Sequence, residues 1–373
     1  MSQKVFASRL YYGSCCFLLF LIAAAASFNG YYDKWHFREA GFANESSPRA
    51  SFDAMVGGTA DRPFVYRQLL PMMANWMDQR VPEQTKQRLF VSNSHSLALL
   101  RERLSRSSVA QDRVYFLRYW IVYILDFLFA WIAVYAMYLV CKSVGYAPAT
   151  AALSAIVMIL LMPYFLSVGG YLYDYPELAF LALAVWMALN FDWWWMIPVV
   201  ALATWNKESF LAFIPALYPL LRRQSSRINA LAGTAILGAA CFAVYFALRS
   251  RYRGNPGATV EIHLMDHIRF MLHPAEFFYT EMTYGIVAFA IFNPVSVTLI
   301  AWTVWRGWRS LPRAIQRHAQ IAAIINFPLY LLFGWPGEVR ALGMLYMPLL
   351  LLIAANLSRW PDSQTKPAIE LST

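Results

Sequence analysis

Apolar residues dominate long runs of this 373-residue chain, and short polar breaks separate the runs. An α-helix needs about 20 mainly apolar residues to cross the ~30 Å hydrocarbon core of a bilayer. Runs of this kind, some of them shorter, occupy residues 11–29, 114–141, 147–167, 176–190, 194–206, 208–221, 229–248, 284–305, 319–335 and 341–357. The pattern predicts an all-α, polytopic transmembrane helical bundle of about ten spans, which forms a single integral-membrane domain.

The stretch 194–221 decides the number of spans, because the polar triplet Asn206-Lys207-Glu208 either breaks it into two helices or lies within one. With the break, the arginines of 222–227 and 306–317 lie on the same side as the N-terminus. Without the break, both groups of arginines would lie on the outer side. This would contradict the rule that Lys and Arg are enriched in short cytoplasmic loops. We therefore predict two helices here, and ten spans with the N- and C-termini in the cytoplasm.

The first apolar run, 11–29, could belong to a signal peptide. The bulky residues of 28–32 make a poor site for a signal peptidase, which requires small residues, so we predict an uncleaved first span. The loop that follows contains two stretches, 64–76 and 84–103, that we predict to form interfacial helices on the membrane surface. The domain is thus divided into a first span (11–29), an outer loop (30–113), the remaining spans (114–357) and a cytoplasmic tail (358–373).

The composition supports a lipid environment. Hydrophobic residues make up 59% of the chain and charged residues 14%, whereas soluble proteins average about 45–50% and about 25%. This balance excludes a secreted domain and a disordered regulator. The net charge of +10 does not indicate a nucleic-acid partner, because the basic residues lie mainly in the short cytoplasmic pieces and the long outer loop. Neither a disulfide framework nor a thiolate metal site is predicted, because no C-x-x-C spacing occurs among Cys15, Cys16, Cys141 and Cys241.

The predicted outer turns carry acidic residues, and several of these turns pair an acid with a base. The candidate residues are Asp33 and Glu39 after the first span, Arg62 and Arg67 in the loop, Asp174 and Glu177, Lys207 and Glu208, and Glu338 and Arg340. A charge at the centre of a membrane helix costs about 2.5–3.5 kcal/mol. We therefore expect these side chains to face a shared, wet cavity on the outer face, suited to a substrate with phosphate and hydroxyl groups.

Each of these groups also has a structural explanation. Acidic residues and a proline favour the first turn of a helix, and adjacent opposite charges can form an ion pair within a turn. The first explanation applies to Asp174 and Glu177, and the second to Lys207 with Glu208 and to Glu338 with Arg340. His263 and His267 have the i, i+4 spacing of metal ligands on a helix but are weak candidates; we expect a plain surface helix instead, because no third ligand is evident.

The order of these elements resembles the GT-C superfamily, which consists of membrane glycosyltransferases that use polyprenyl-phosphate-linked sugars. The resemblance rests on one span followed by a long outer loop with two surface helices and many further spans. It also rests on the sequences Tyr31-Tyr32-Asp33-Lys34-Trp35, Asp61-Arg62-Pro63-Phe64-Val65-Tyr66-Arg67 and Glu338-Val339-Arg340, which are similar to segments of small bacterial members. It implies an active site on the outer face of the bacterial inner (plasma) membrane.

The resemblance further implies roles for the candidate residues. Asp33, or Glu39 as the next acidic residue along the chain, would act as the catalytic base or help to bind a metal, and cations among Arg62, Arg67, Lys207 and Arg340 would hold the leaving phosphate. The donor would be a polyprenyl-phosphate-linked sugar and the acceptor a lipid or glycan, with membrane lipids around the protein. No cofactor is certain; a divalent metal stays open because the first loop lacks an Asp-x-Asp or Glu-x-Asp doublet.

Two other functions fit the same pattern. A lipid-linked-sugar flippase or transporter also gathers charges in a cavity, but it should show them at mid-membrane depth and in inverted repeats, and neither is evident in the sequence. A different membrane transferase, such as an acyltransferase or a polysaccharide polymerase, would keep the outer cavity with another substrate.

Overall fold

The structure is a computed structural model that describes residues 3–35, 50–92, 95–104, 107–167, 169–258 and 260–359. In chain order, its α-helices are α1 (Gln3–Asp33), α2 (Phe52–Gly57), α3 (Leu69–Asp78), α4 (Glu83–Val91), α5 (His95–Leu104), α6 (Ser108–Gln111), α7 (Phe116–Val144), α8 (Pro148–Phe165), α9 (Asp174–Asn190), α10 (Ile197–Asn206), α11 (Phe210–Gln224), α12 (Arg227–Arg251), α13 (Leu264–Leu272), α14 (Pro294–Gly307), α15 (Arg313–Phe333) and α16 (Tyr346–Ser358). Two antiparallel strands, β1 (Thr280–Thr283) and β2 (Ile286–Phe289), form one hairpin in which Thr280 lies opposite Phe289.

Each of the ten apolar runs contains one helix of this series. Within the described residues, five helical stretches are long and apolar enough to cross a membrane. They are Gly13–Asp33 of α1, all of α7, α8 and α12, and Val339–Ser358, which joins a 3-10 turn to α16. The protein is therefore mainly helical and has the composition of an integral membrane protein. A total of ten crossings and the orientation of the termini stay predictions.

The run 284–305 differs most from expectation, because nearly half of it forms the hairpin turn, β2 and a second turn, and α14 begins only at Pro294. Tyr284 and Gly285 adopt positive φ angles of 56° and 77°, the geometry of a tight hairpin turn. Asn293 then caps α14, since its side-chain oxygen accepts a hydrogen bond from the Ser296 amide (3.0 Å).

The two predicted interfacial stretches of the outer loop also divide further. The first is a 3-10 turn over Phe64–Tyr66 followed by α3, and the second is the two helices α4 and α5. Aromatic side chains attach this loop to the beginning of α7: Trp35 stacks on Tyr119, with ring centroids 5.5 Å apart, and Phe52 packs on the same tyrosine at 4.9 Å.

Hydrogen bonds between helices show which helix ends lie together at each of the two ends of the bundle. At one end, Asn190 of α9 donates to the Ser143 hydroxyl near the end of α7 (2.7 Å). At the opposite end, which we call the Lys207 end, Asn206 of α10 donates to the carbonyl of Tyr173, just before α9 (2.9 Å). The chain therefore runs along α9 away from the Lys207 end and returns to it along α10.

The next helix leaves the Lys207 end again. α11 begins at Phe210, and at its far end Gln224 donates to the carbonyl of Ala188 in α9 (2.9 Å). The polar triplet thus ends one helix shortly before the next begins, as the sequence predicts. Both helices are short, because α10 has 10 residues and α11 has 15. At 1.5 Å per residue, α11 is about 22 Å long.

Candidate functional site

Seven of the eight residues predicted to bind substrate lie together at the Lys207 end, in a group that we call the ionic cluster. Its members are Arg67, Asp174, Glu177, Lys207, Glu208, Glu338 and Arg340. Their side chains are between 4% and 20% exposed. Charges removed from water to this extent require partners, and the cluster supplies them as follows.

Asp174 is the first residue of α9, and its carboxylate accepts a hydrogen bond from the backbone amide of Tyr171 (2.7 Å). Glu177 follows three residues later and lies on the same face of the helix. Both acids therefore lie in the first turn, where the helix dipole favours negative charge. Asp174 and Glu177 therefore have the structural role that the sequence predicts. The same position in the first turn of α9 places both carboxylates next to cations of the cluster.

Arg67 lies just before α3 and pairs with Glu208, with 3.2 Å between Nη2 and Oε1. Its guanidinium also donates to the Tyr173 hydroxyl and lies over the Tyr173 ring, 4.3 Å from the centroid. Burial alone would raise the pKa of Glu208, but the positive charge of Arg67 outweighs burial, so the pKa of Glu208 lies below its ordinary value.

Lys207 directly follows α10 and pairs with Glu177, with 2.6 Å between Nζ and Oε2. The ion pair expected between Lys207 and its neighbour Glu208 is therefore replaced by two pairs with more distant partners. The turn after α10 orients the two side chains differently, since Lys207 has extended backbone angles (φ −154°, ψ 120°) that separate it from the residue that follows.

Arg340 connects two acidic residues of the cluster. Its Nη1 lies 3.3 Å from both carboxylate oxygens of Asp174, and its Nη2 contacts the Glu338 carboxylate. Burial would raise the pKa of Glu338, but the Arg340 charge and a hydrogen bond from the Trp335 amide lower it below its ordinary value. The expected Glu338–Arg340 pair is thus one part of a three-residue bridge.

Three tyrosines of the site were not predicted from the sequence. Tyr171 and Tyr173 stack on each other, with centroids 5.2 Å apart and planes 12° from parallel, and Arg340 lies over the Tyr171 ring at 4.4 Å. The spacing of Tyr171 and Tyr173 around Leu172, ahead of two acids, was a usable signal. Tyr346 begins α16 and interacts electrostatically with Glu177, but it lies within an apolar run and gives no such signal.

The cluster retains unused hydrogen-bond donors. Within the part of the chain that the structure describes, the Nε of Arg340 and the hydroxyl of Tyr346 are buried and donate to no partner. Buried donors without partners are costly. The site therefore has hydrogen-bonding capacity that the protein itself does not use.

Arg62 lies outside the ionic cluster. Its side chain donates to the carbonyl of Gly257 (2.7 Å), and its backbone amide donates to the carbonyl of Pro256 (2.9 Å). These bonds attach the outer loop to the segment after α12.

Asp33 is the last residue of α1 and forms an ion pair with Arg103 of α5 (3.7 Å). The chain at this point is close to the cluster's own backbone, because the amide of Gly170 donates to the carbonyl of Lys34 (2.8 Å). The catalytic role of Asp33 stays a prediction. Glu39, the second residue predicted to be catalytic, lies outside the described residues.

The two histidines proposed as weak metal ligands have other partners. His263 lies 3.1 Å from the Asp266 carboxylate, and Nε2 of His267 lies 3.0 Å from the carbonyl of Gly334. Across the described ranges, no group of three or more His, Cys, Asp or Glu side chains is arranged to hold a metal ion. In the ionic cluster, cations lie between the carboxylates.

Three cations alternating with four carboxylates beside aromatic rings can bind a ligand that carries both phosphate and hydroxyl groups. A phosphate replaces carboxylates as the partner of arginine or lysine, and the released carboxylates accept hydrogen bonds from hydroxyls. No protein-family model matches the chain, and no curated protein or solved structure is significantly similar to it.

Proposed function

We propose that this protein is a GT-C-type glycosyltransferase that moves a sugar from a polyprenyl-phosphate donor to a lipid or glycan acceptor, on the outer face of a bacterial inner membrane. The observation that supports it most strongly is the ionic cluster. It gathers seven charged side chains from separate segments at one end of an apolar helical bundle. A flippase should instead carry such charges near the middle of the membrane.

The phosphate of the donor would bind to Lys207 and Arg340. Their present carboxylate partners, Glu177 and Asp174, would exchange with it, and the free Nε of Arg340 and hydroxyl of Tyr346 would add two hydrogen bonds. Preorganised donors of this kind stabilise the charge that develops on the leaving phosphate.

Asp33 would act as the general base. In the transfer step, the acceptor hydroxyl loses its proton to the Asp33 carboxylate and its oxygen attacks the anomeric carbon. The bond between that carbon and the phosphate oxygen breaks, and the polyprenyl phosphate leaves with the electron pair. A single base is enough, because the phosphate leaves without needing a proton.

The test is binding of polyprenyl phosphate to the purified protein in lipid vesicles. Lys207→Ala and Arg340→Ala should each weaken binding about 10–150-fold, because a charge-assisted hydrogen bond contributes about 1.5–3 kcal/mol. Arg223→Ala is the matched control: it removes the same charge from an exposed position in α11, outside the cluster, and should bind as the wild type does.

A second variant separates binding from folding. Lys207→Ala leaves Glu177 buried without its cation, so the double variant Lys207→Ala/Glu177→Gln removes both charges. It should restore the melting temperature without restoring binding. Wild-type affinity in Lys207→Ala and in Arg340→Ala would show that these pairs are purely structural, and the proposed donor site would be wrong.

A further inference from the structure

The segment between α12 and α14 exposes an unusual density of large apolar side chains. On α13, Met265, Ile268 and Leu272 are 46–71% exposed, and their i, i+3, i+7 spacing puts them on one face. On the hairpin, Val287 and Phe289 are 70% and 52% exposed. Soluble surfaces rarely carry a contiguous apolar patch larger than a few hundred Å². We call this surface the α13–hairpin surface.

The polar side of α13 is attached to the bundle, so its apolar face points away. His267 lies against the Gly334 carbonyl and packs on the Tyr330 ring at 4.8 Å, and the amide of His263 donates to the carbonyl of Leu332 (2.8 Å). These contacts hold α13 along the end of α15.

The hairpin turn is attached to α8 by a side-chain hydrogen bond. The Tyr284 hydroxyl, at the hairpin turn, donates to the carbonyl of Leu160 (2.8 Å). Leu160 lies five residues before the end of α8 at Phe165, which at 1.5 Å per residue is about 8 Å along the helix axis. Next to the turn, Glu281 pairs with Lys34 at 2.9 Å, which ties β1 to the end of α1.

We propose that α13 and the hairpin lie in the outer lipid leaflet, with the α13–hairpin surface among the hydrocarbon chains of membrane phospholipids. With the end of α8, a candidate membrane span, at the outer boundary of the hydrocarbon core, the Tyr284 hydroxyl lies about 8 Å below that boundary, within the ~5–10 Å to which interfacial elements insert. The surface is also continuous with α15, whose Phe327 and Leu331 are exposed on a helix of the apolar bundle. This proposal does not depend on sugar transfer.

The position of the surface matters for the ionic cluster. Phe270 of α13 approaches Gly337, where an added Cβ atom would lie 3.9 Å from its ring, and Trp335 packs on His263 at 4.7 Å. Trp335 and Gly337 lie in the turn that also contains Glu338 of the ionic cluster. The attached side of α13 therefore lies beside the turn that carries Glu338, which puts the α13–hairpin surface on a neighbour of the ionic cluster.

The test measures depth in the membrane. Single cysteines at Ile268 and Val287 are spin-labelled in a chain whose four native cysteines are alanine, in vesicles of phosphatidylethanolamine and phosphatidylglycerol. Labels at these positions should collide several-fold more often with oxygen than with a water-soluble nickel chelate. A label at Ala258, exposed in the turn after α12, is the control and should show the opposite preference.

A second measurement does not require cysteine replacement. A photoreactive benzoylphenylalanine at position 268 of the otherwise wild-type chain should form adducts with phospholipid, and one at position 258 should not. Labels at 268 and 287 that collide with the nickel chelate as often as the control would place the surface in water. Labels that neither reagent reaches would show that protein covers it. Either result would overturn the proposal, whatever the outcome for polyprenyl phosphate.

Discussion

At the scale of single residues, the contact between Arg67 and Glu208 makes the stability of the fold depend on pH. Both side chains are largely buried, at 12% and 20% exposure, and the guanidinium also contacts the Tyr173 hydroxyl. Because the pKa of Glu208 is lowered in the folded protein, ionised Glu208 stabilises the fold. That stabilisation is fully present above the ordinary value of 4.5 and is lost as the pH falls through the lower, folded-state pKa.

We predict that the wild-type protein becomes less stable as the pH falls below about 4.5, because protonation of Glu208 removes the charge that pairs with Arg67. Glu208→Gln should be less stable at pH 7 and should show a smaller further loss on acidification. Thermal unfolding in detergent between pH 3 and pH 7 measures both. Glu276→Gln, at an exposed position, should keep the wild-type profile; a Glu208→Gln profile parallel to the wild type would contradict the assignment.

A second prediction concerns Asp33. Asp33→Asn should reduce sugar transfer by about 10²–10⁴-fold, the usual contribution of a general base, and should leave binding of polyprenyl phosphate near the wild-type level. Loss of its partly exposed pair with Arg103 contributes at most about 1 kcal/mol, so the two roles differ clearly in size. Glu39→Gln should be milder. If Asp33→Asn retains more than about a tenth of the wild-type activity, Asp33 is not the general base. Asp174 and Glu177 would then be the next residues to test.

The charged residues of the site could be identified from the sequence, but their ion-pair partners and the tyrosine Tyr346 could not. Lys207 and Arg340 could be found because charges between apolar runs are rare and therefore conspicuous. Their partners could not be predicted, because Lys207 pairs with Glu177 in the first turn of α9 rather than with its sequence neighbour Glu208. Tyr346 was missed because an amphipathic tyrosine inside an apolar run resembles any other core residue.

At the scale of elements, breaks between helices were easier to predict than strands. Asn206-Lys207-Glu208 marks the end of α10 because three polar groups are expensive inside a membrane helix. The hairpin was missed because Ile286–Phe289 is apolar throughout, so a short strand cannot be distinguished from part of a helix by its hydrophobicity. Only the pair Tyr284–Gly285, at the beginning of the run, indicated a turn rather than a continuous helix.

The direction of the elements can be tested by labelling. Single cysteines at Ser209 and Trp335, in the chain without native cysteines, should react with a membrane-impermeant thiol reagent added to intact cells. Cysteines at the exposed positions Arg223 and Arg313 should react only after the cells are permeabilised. Labelling at Ser209 from the cytoplasm alone would refute both the predicted topology and an outer-face site.

At the scale of the whole molecule, several helix ends of an apolar bundle meet at the ionic cluster. The end of α1, the beginnings of α9 and α11, the end of α10 and the turn before α16 all contribute to this region. Each apolar run predicted the position of one helix, but within the described residues only five stretches are long and apolar enough to cross a membrane, so ten spans stay a prediction. The convergence of their ends depends on packing, which hydrophobic periodicity does not encode.

The shortness of α10 and α11 has an electrical consequence. α11 is about 22 Å long, which is about 8 Å less than a ~30 Å hydrocarbon core. In the proposed orientation, a water-filled recess about 8 Å deep therefore leads from the outer solution to the turn at Lys207. At most about a quarter of the transmembrane voltage falls along this recess. At 2.3 kcal/mol per charge per 100 mV, an inside-negative potential of 100 mV opposes each negative charge of an incoming phosphate by at most about 0.6 kcal/mol. Polyprenyl phosphate should therefore bind up to about threefold more weakly per charge in vesicles with a potassium-diffusion potential of that size than in unpolarised ones.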